Sequence, residues 1–141
     1  MYSVEKVRSM RKFNSLIPEL SVKSIEESKR FYIDILGFKL EYERPEDKFA
    51  FLSLGDIQIM IEEVNGYWST GKLEYPFGRG INFEMKVPNV QEIRDNLVKN
   101  NIKLFRDITI NEYESNGEII VQEEFLVQDL NGYLLRFCMY K

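Results

Sequence analysis

The sequence predicts an α+β fold made of two β-α-β-β-β modules in one domain. Three observations lead there. Strand-like and helix-like runs follow each other twice in the same order. Val22, Ile25 and Glu27 recur as Val87, Val90 and Glu92, an offset of 65. Gly55-Asp56-Ile57 finds a counterpart in Gly132-Tyr133-Leu134. A unit of about fifty residues used twice is a weak sequence match but a good match of element order. At 141 residues the chain can bury one core or two small packed halves.

Residues 2–13 carry Val4, Val7, Met10 and Phe13 at three-residue intervals among charges, the pattern of a weak amphipathic helix or an arm. Residues 1–15 are therefore set apart as an N-terminal extension. Leu16 to Val22 reads as a short strand. Ser24 stands at a helix N-cap, with Glu27 completing a capping box. Ile25, Ser28, Phe31, Tyr32 and Ile35 follow at helical spacing, and Gly37 ends the helix. Three strands come next, at 38–43, 49–54 and 57–62. Arg44-Pro45-Glu46-Asp47 and Gly55-Asp56 turn the chain between them.

Module 1 thus spans about 16–63, and residues 64–79, glycine-rich and aperiodic, form the connecting loop. Module 2, about 80–141, opens with a strand at 81–87. Pro88 and Asn89 lead into a helix with Val90, Ile93, Leu97 and Val98 on one face. Strands at 102–110, 119–128 and 134–140 complete it, with Asn116-Gly117 and Asn131-Gly132 at the turns.

Composition narrows the function. There is no histidine, so no histidine–carboxylate metal site, no serine triad and no histidine base can be built. Cys138 is the only cysteine, which excludes an internal disulfide and a thiolate zinc site. A net charge of −4 without a Lys/Arg block argues against nucleic acid and favours neutral or cationic partners. Ten Phe, eight Tyr and one Trp supply an aromatic interior or pocket. The opening residues hold no apolar stretch of signal-peptide length and nothing later suits a membrane span, so a cytoplasmic protein is expected.

Four stretches carry a family resemblance: SIEESKRFYIDILGFKLEYE (24–43), FAFLSLG (49–55), EYPFGRGINFEM (74–85) and FLVQDLNGYLLRF (125–137). They resemble the vicinal oxygen chelate superfamily, which holds glyoxalase I, extradiol dioxygenases and fosfomycin and bleomycin resistance proteins. EYPFGRGINFEM is most similar to the bleomycin-resistance-like branch. The resemblance implies that the two sheets curl into a cup with the helices outside. Strand alternation then assigns Ile17, Glu19, Phe49, Phe51, Ser53, Gln58, Met60 and Glu62 to the cup in module 1. In module 2 it assigns Asn82, Glu84, Lys86, Leu134, Arg136 and Cys138.

Superfamily enzymes hold a metal on the first and last strands of each module. The matching positions here are Ile17, Met60 (or Gln58), Asn82 and Arg136, a set whose chemistry does not suit a divalent ion. No metal and no cofactor are therefore expected. An all-carboxylate site through Glu19, Glu62 and Glu84 is the enzymatic alternative. Phe49 matches a position where bleomycin resistance proteins stack an aromatic on the drug. The resemblance implies an acidic, aromatic cup built from Phe49, Phe51, Met60, Glu62, Trp68, Asn82, Glu84 and Arg136, with Glu123 as a further carboxylate. Its partner would be a flat cationic or amphipathic small molecule such as a bleomycin-type antibiotic, bound by a homodimer. A departure is Val121, where related drug binders carry a tryptophan.

Simpler roles stand beside these. Phe49 and Phe51 can equally be core, and Trp68 a lid or a dimer contact. The glutamates can be solvated strand residues. Arg136, a charge inside the last strand, needs a partner: Glu84, Glu19 or a ligand anion. Cys138 reads as a small buried apolar group rather than a nucleophile. A module whose cup is filled by its own side chains remains the third possibility.

Overall fold

Ser24 and Asn89 start the two helices in the same way, 65 residues apart. Each has extended backbone, and each side-chain oxygen accepts from the backbone N–H three residues on: Glu27 at 3.2 Å and Glu92 at 3.1 Å. This satisfies a donor that the first helical turn would otherwise leave unpaired. The computed structural model describes residues 12–141, so most of the predicted N-terminal helix or arm lies outside the described residues. The chain divides into two compact units, ending at Ser69 and beginning at Thr70.

The first unit runs β1 (Glu19–Val22), α1 (Ile25–Lys29), β2 (Lys39–Arg44), β3 (Phe49–Leu54) and β4 (Ile57–Glu63). Helix α1 passes into a wider π turn over Arg30–Ile35, and Gly37, at φ +88°, ends it in the left-handed region. The four strands form one mixed sheet in the order β1-β4-β3-β2, with β1 parallel to β4 and the rest antiparallel. Leu20, Val22, Ile59 and Ile61 are buried with Ile25, Phe31 and Tyr32 of the helical segment. Alternation therefore sends Glu19, Gln58, Met60, Glu62, Phe49, Phe51 and Ser53 to the opposite face, as the ladder registers Glu19↔Met60, Phe51↔Met60 and Phe49↔Glu62 require.

The second unit repeats the plan: β5 (Asn82–Lys86), α2 (Val90–Lys99), β6 (Arg106–Ser115), β7 (Glu118–Gln128) and β8 (Leu134–Tyr140), ordered β5-β8-β7-β6. Met85, Phe125, Val127, Leu135 and Phe137 are buried with Val90, Ile93 and Leu97 of α2, and Phe125 stacks on Phe137 at 5.5 Å. Each such ring removed from water contributes about 2 kcal/mol. The βαβββ modules read from the sequence are present, one four-stranded sheet in each.

Three expectations change. Val98 is exposed rather than packed with Leu97. The strand expected at 102–110 starts at Arg106 and runs to Ser115. Asn101, at φ +61°, carries the chain off α2, and Ile102 N–H still bonds back to Leu97, so residues 102–105 belong to the helix exit. At the far end the Asn116-Gly117 turn holds Ser115 opposite Glu118, which extends the ladder. Finally, Glu123 opposes Met139, in the alternate row from Cys138, and pairs with Lys141; the carboxylate on the face of Glu84 is Glu124.

Candidate functional site

In the first unit, aromatic and acidic side chains share the sheet face that looks away from α1. Tyr42 opposes Phe51 across the ladder and stacks on it at 5.2 Å with 13° between the planes. A register shift between Leu40 and Tyr42 is what brings Tyr42 and Arg44 to this face. Arg44 lays its guanidinium 3.9 Å from the centroid of Phe49 and 5.9 Å from that of Tyr42. Its Nε also pairs with Asp47 at 3.4 Å, in the 3₁₀ turn that Pro45 begins.

Phe13 covers Phe51 edge-on at 5.3 Å. The segment carrying it is clamped by the buried Gln58 amide, which donates to Lys12 O and accepts from Asn14 N–H, both at 2.8 Å. Asn14 adds a bond to Asp56 O at 2.7 Å. With Arg44 over one and Phe13 over the other, Phe49 and Phe51 are each only 2% exposed. Glu19 receives the indole N–H of Trp68, which otherwise lies exposed against Tyr67. Burial and the neighbouring Glu62 hold the Glu19 carboxyl above its ordinary range, partly offset by Arg44 and Trp68. Glu62 accepts from Asn65 at 3.2 Å. Beside it opens a cleft of about 530 Å³ lined by Lys23, Glu46, Asp47, Lys48 and Glu62.

In the second unit the equivalent face is a polar network. Arg136 donates from Nε and Nη2 to Glu124 at 3.2 and 3.1 Å, and from Nη1 to Asn82 at 3.2 Å. Glu84 stands farther from it, at 3.9 Å. Instead Glu84 Oε1 accepts from Gln122 Nε2 and from the Tyr140 hydroxyl, the latter at 2.8 Å. That bond to Glu84 pushes the Tyr140 phenol up to about 12. Cys138 is buried, and burial together with Glu84 raises its thiol, which disfavours the thiolate. Gln122 Oε1 is buried and has no hydrogen-bond partner among the described residues.

Of the residues predicted for the site, Phe49, Phe51, Met60, Glu62 and Trp68 belong to the first unit, and Asn82, Glu84 and Arg136 to the second. Each group lies together within its own unit. Tyr42, Arg44 and Phe13 were missed in the first unit, and Gln122, Glu124 and Tyr140 in the second. Tyr140 was within reach, because it lies two positions beyond Cys138 on the same strand face.

The positions that match the superfamily's metal ligands carry unsuitable donors. Met60 offers a thioether, Asn82 is engaged by Arg136, and Arg136 brings a permanent cation already paired with Glu124. Among the described residues no group of three or more His, Cys, Asp or Glu is placed to hold a metal. These donors do not fit a divalent ion.

Two sheets of βαβββ plan, each with a side-chain-rich face opposite its helix, define a class, and the comparisons agree. Residues 13–137 match the model of the Glyoxalase/Bleomycin resistance protein/Dioxygenase superfamily, and the chain belongs to that superfamily. A superfamily member from Vibrio splendidus 12B01 is 30% identical over 87% of this chain and 95% of its own, with a TM-score of 0.41. A glyoxalase/bleomycin resistance protein/dioxygenase from Alicyclobacillus acidocaldarius is 20% identical over 90% and 91%, with a TM-score of 0.63. TioX from Micromonospora sp. ML1 is 15% identical over 92% and 100%, with a TM-score of 0.71. The last two likenesses concern the fold alone. None of the curated proteins matches the chain. No helix among the described residues is long and apolar enough to cross a membrane.

Proposed function

We propose that this protein is a metal-independent small-molecule-binding protein of the bleomycin-resistance-like type, which sequesters a flat cationic or amphipathic compound without chemical change. The observation that carries this reading is the guanidinium of Arg44 lying on Phe49, on the face that also presents Glu19 and Glu62. A planar cation on an aromatic ring near two carboxylates is the interaction such a ligand would make. A cytoplasmic homodimer belongs to the same proposal. The edge strand β6 and the exposed Ile110, Tyr113 and Ile119 support pairing, because an uncovered edge invites another chain.

A thermal-shift screen of the purified protein tests the function. Flat cationic aromatics, a bleomycin-type glycopeptide among them, should raise the melting temperature, and their neutral analogues should not. Stabilisation by neutral analogues alone would contradict it. So would near-stoichiometric zinc, iron, nickel or manganese in protein purified without a metal-affinity tag.

A further inference from the structure

Phe49 and Phe51 differ in what covers them. Phe13 is fixed over Phe51 by both atoms of the Gln58 amide and by the Asn14 bond to Asp56, three bonds of 2.7–2.8 Å. Arg44 is held over Phe49 by its cation–π contact and one longer ion pair, 3.4 Å to Asp47, with its side chain 34% exposed. Asp47 also lines the open cleft beside Glu62. An arginine swung toward that cleft keeps its charge partner and uncovers the Phe49 ring.

Charge decides what could take the place of Arg44. Glu19 and Glu62 repel each other, and Arg44 offsets that repulsion at Glu19. A neutral ring arriving on Phe49 would leave the carboxylates less compensated, whereas a cation restores the balance. The space left over Phe49 is that of a guanidinium, which is flat.

We propose that Arg44 is a built-in stand-in for the ligand, capping Phe49 until a planar cation of the amidinium or guanidinium class displaces it. This rests on the first module's aromatic face being the binding face. It also makes Phe49, rather than Phe51, the ring that the ligand touches.

Calorimetric titration with benzamidine, and with benzamide as the neutral isostere, tests it. Removing the competing cap should tighten benzamidine binding about tenfold in Arg44→Ala, because a self-occupied site loses affinity in proportion to its occupancy. Benzamide shares the gain from uncovering the ring but not the gain from losing a like charge, so it should tighten by clearly less than benzamidine. Arg44→Met keeps the aliphatic stem and is measured alongside, so that lost folding in the alanine variant does not decide the result. Arg30→Ala removes an equal charge from the exposed side of the helical segment, on the other face of the sheet, and should change affinity less than about twofold. Adding Phe49→Leu to Arg44→Ala should abolish the gain. If the wild-type protein binds benzamidine and both Arg44 variants bind it no better, the stand-in is refuted while the binding function stands. An equal gain in Arg30→Ala also refutes it, by reducing the effect to net charge. Absence of binding in wild type and in both Arg44 variants overturns the stand-in and the aromatic binding face together.

Discussion

Arg136 and Glu124 are joined through two donors to one acceptor: Nε and Nη2 both reach Glu124 Oε2, at 3.2 and 3.1 Å. The carboxylate is nearly covered, with 7% of its side chain exposed against 26% for the arginine. Burial alone would lower the guanidinium's affinity for its proton, but the bonds and charge of Glu124 outweigh it. The pair is therefore held in a setting where losing one member costs more than the pair's own net contribution.

Glu124→Ala should destabilise the protein by about 2 kcal/mol, less than for a fully buried ion pair because Arg136 keeps some water and Glu84. Replacing both residues with alanine should cost less than the sum of Glu124→Ala and Arg136→Ala, because the partner left behind in each single variant is no longer a buried unpaired charge. Urea unfolding of the two single variants and the double variant reads this directly. Additive costs would mean that the two side chains are not coupled.

Tyr140 is the second test. Its hydroxyl donates to Glu84 at 2.8 Å, and the negative carboxylate opposes a phenolate beside it, which raises the phenol from 10 to about 12. A raised folded value contributes stability that is fully present below pH 10 and lost as pH rises through about 12. Tyrosinate absorbance should show a late-titrating group, absent in Tyr140→Phe. Glu84→Gln should move it back toward 10. If Glu84→Gln left the late group in place, Glu84 would not be the cause.

What the sequence made legible follows the range of each interaction. Ser24, Gly37 and Asn89 announce the helices because caps and left-handed turns are local. Residues 57–62 reveal their faces because alternation is local too. Arg44 could not be read this way. The bulge at Leu40–Tyr42 shifts the register of β2, and no local pattern marks it. Adjacent glutamates at 123 and 124 look alike in the sequence until the partner strand sets the parity, and Cys138 opposite Glu124 sets it. The Phe13 contact depends on Gln58, more than forty residues away in the chain, holding Lys12 and Asn14. Contacts of that separation leave no periodic trace.

Gly132 gives a test of the second module's turn. A Cβ there would meet Pro76 Cα and Cβ at 2.5 Å and the Phe77 backbone nitrogen at 3.0 Å, and φ is +99°. Backbone cannot yield as a side-chain tip can, so Gly132→Ala should cost about 3 kcal/mol or leave little folded protein. Gly55→Ala is the comparison. It has φ +59° but nothing within 4 Å of the added carbon, so it carries backbone strain alone, about 1 kcal/mol. Circular dichroism melts of the two variants separate the contributions. Equal losses would show that the close approach to Pro76 is unimportant.

Glu19 carries the pH dependence of the aromatic face. Its carboxyl is raised above 4.5, first by burial and then by Glu62, with Arg44 and Trp68 acting in the opposite direction. Between 4.5 and the higher folded value the native state binds more protons than the unfolded chain. Stability therefore falls as pH rises through that window, and Glu19 opposes folding above it. Glu19→Gln keeps an oxygen for the Trp68 N–H and removes the charge. Its melting temperature should exceed that of the wild type at pH 7. The difference should shrink as the pH is lowered toward 4, where the wild-type carboxyl takes up its proton. Arg44→Met should enlarge the effect, because the cation that favours the ionised form is gone. Melting curves of the wild type, Glu19→Gln, Arg44→Met and the double variant across pH 4–8 measure all of this. A difference that grew toward acid pH would reverse the sign and mean that the folded protein favours ionised Glu19, as an acid held mainly by Arg44 and Trp68 would.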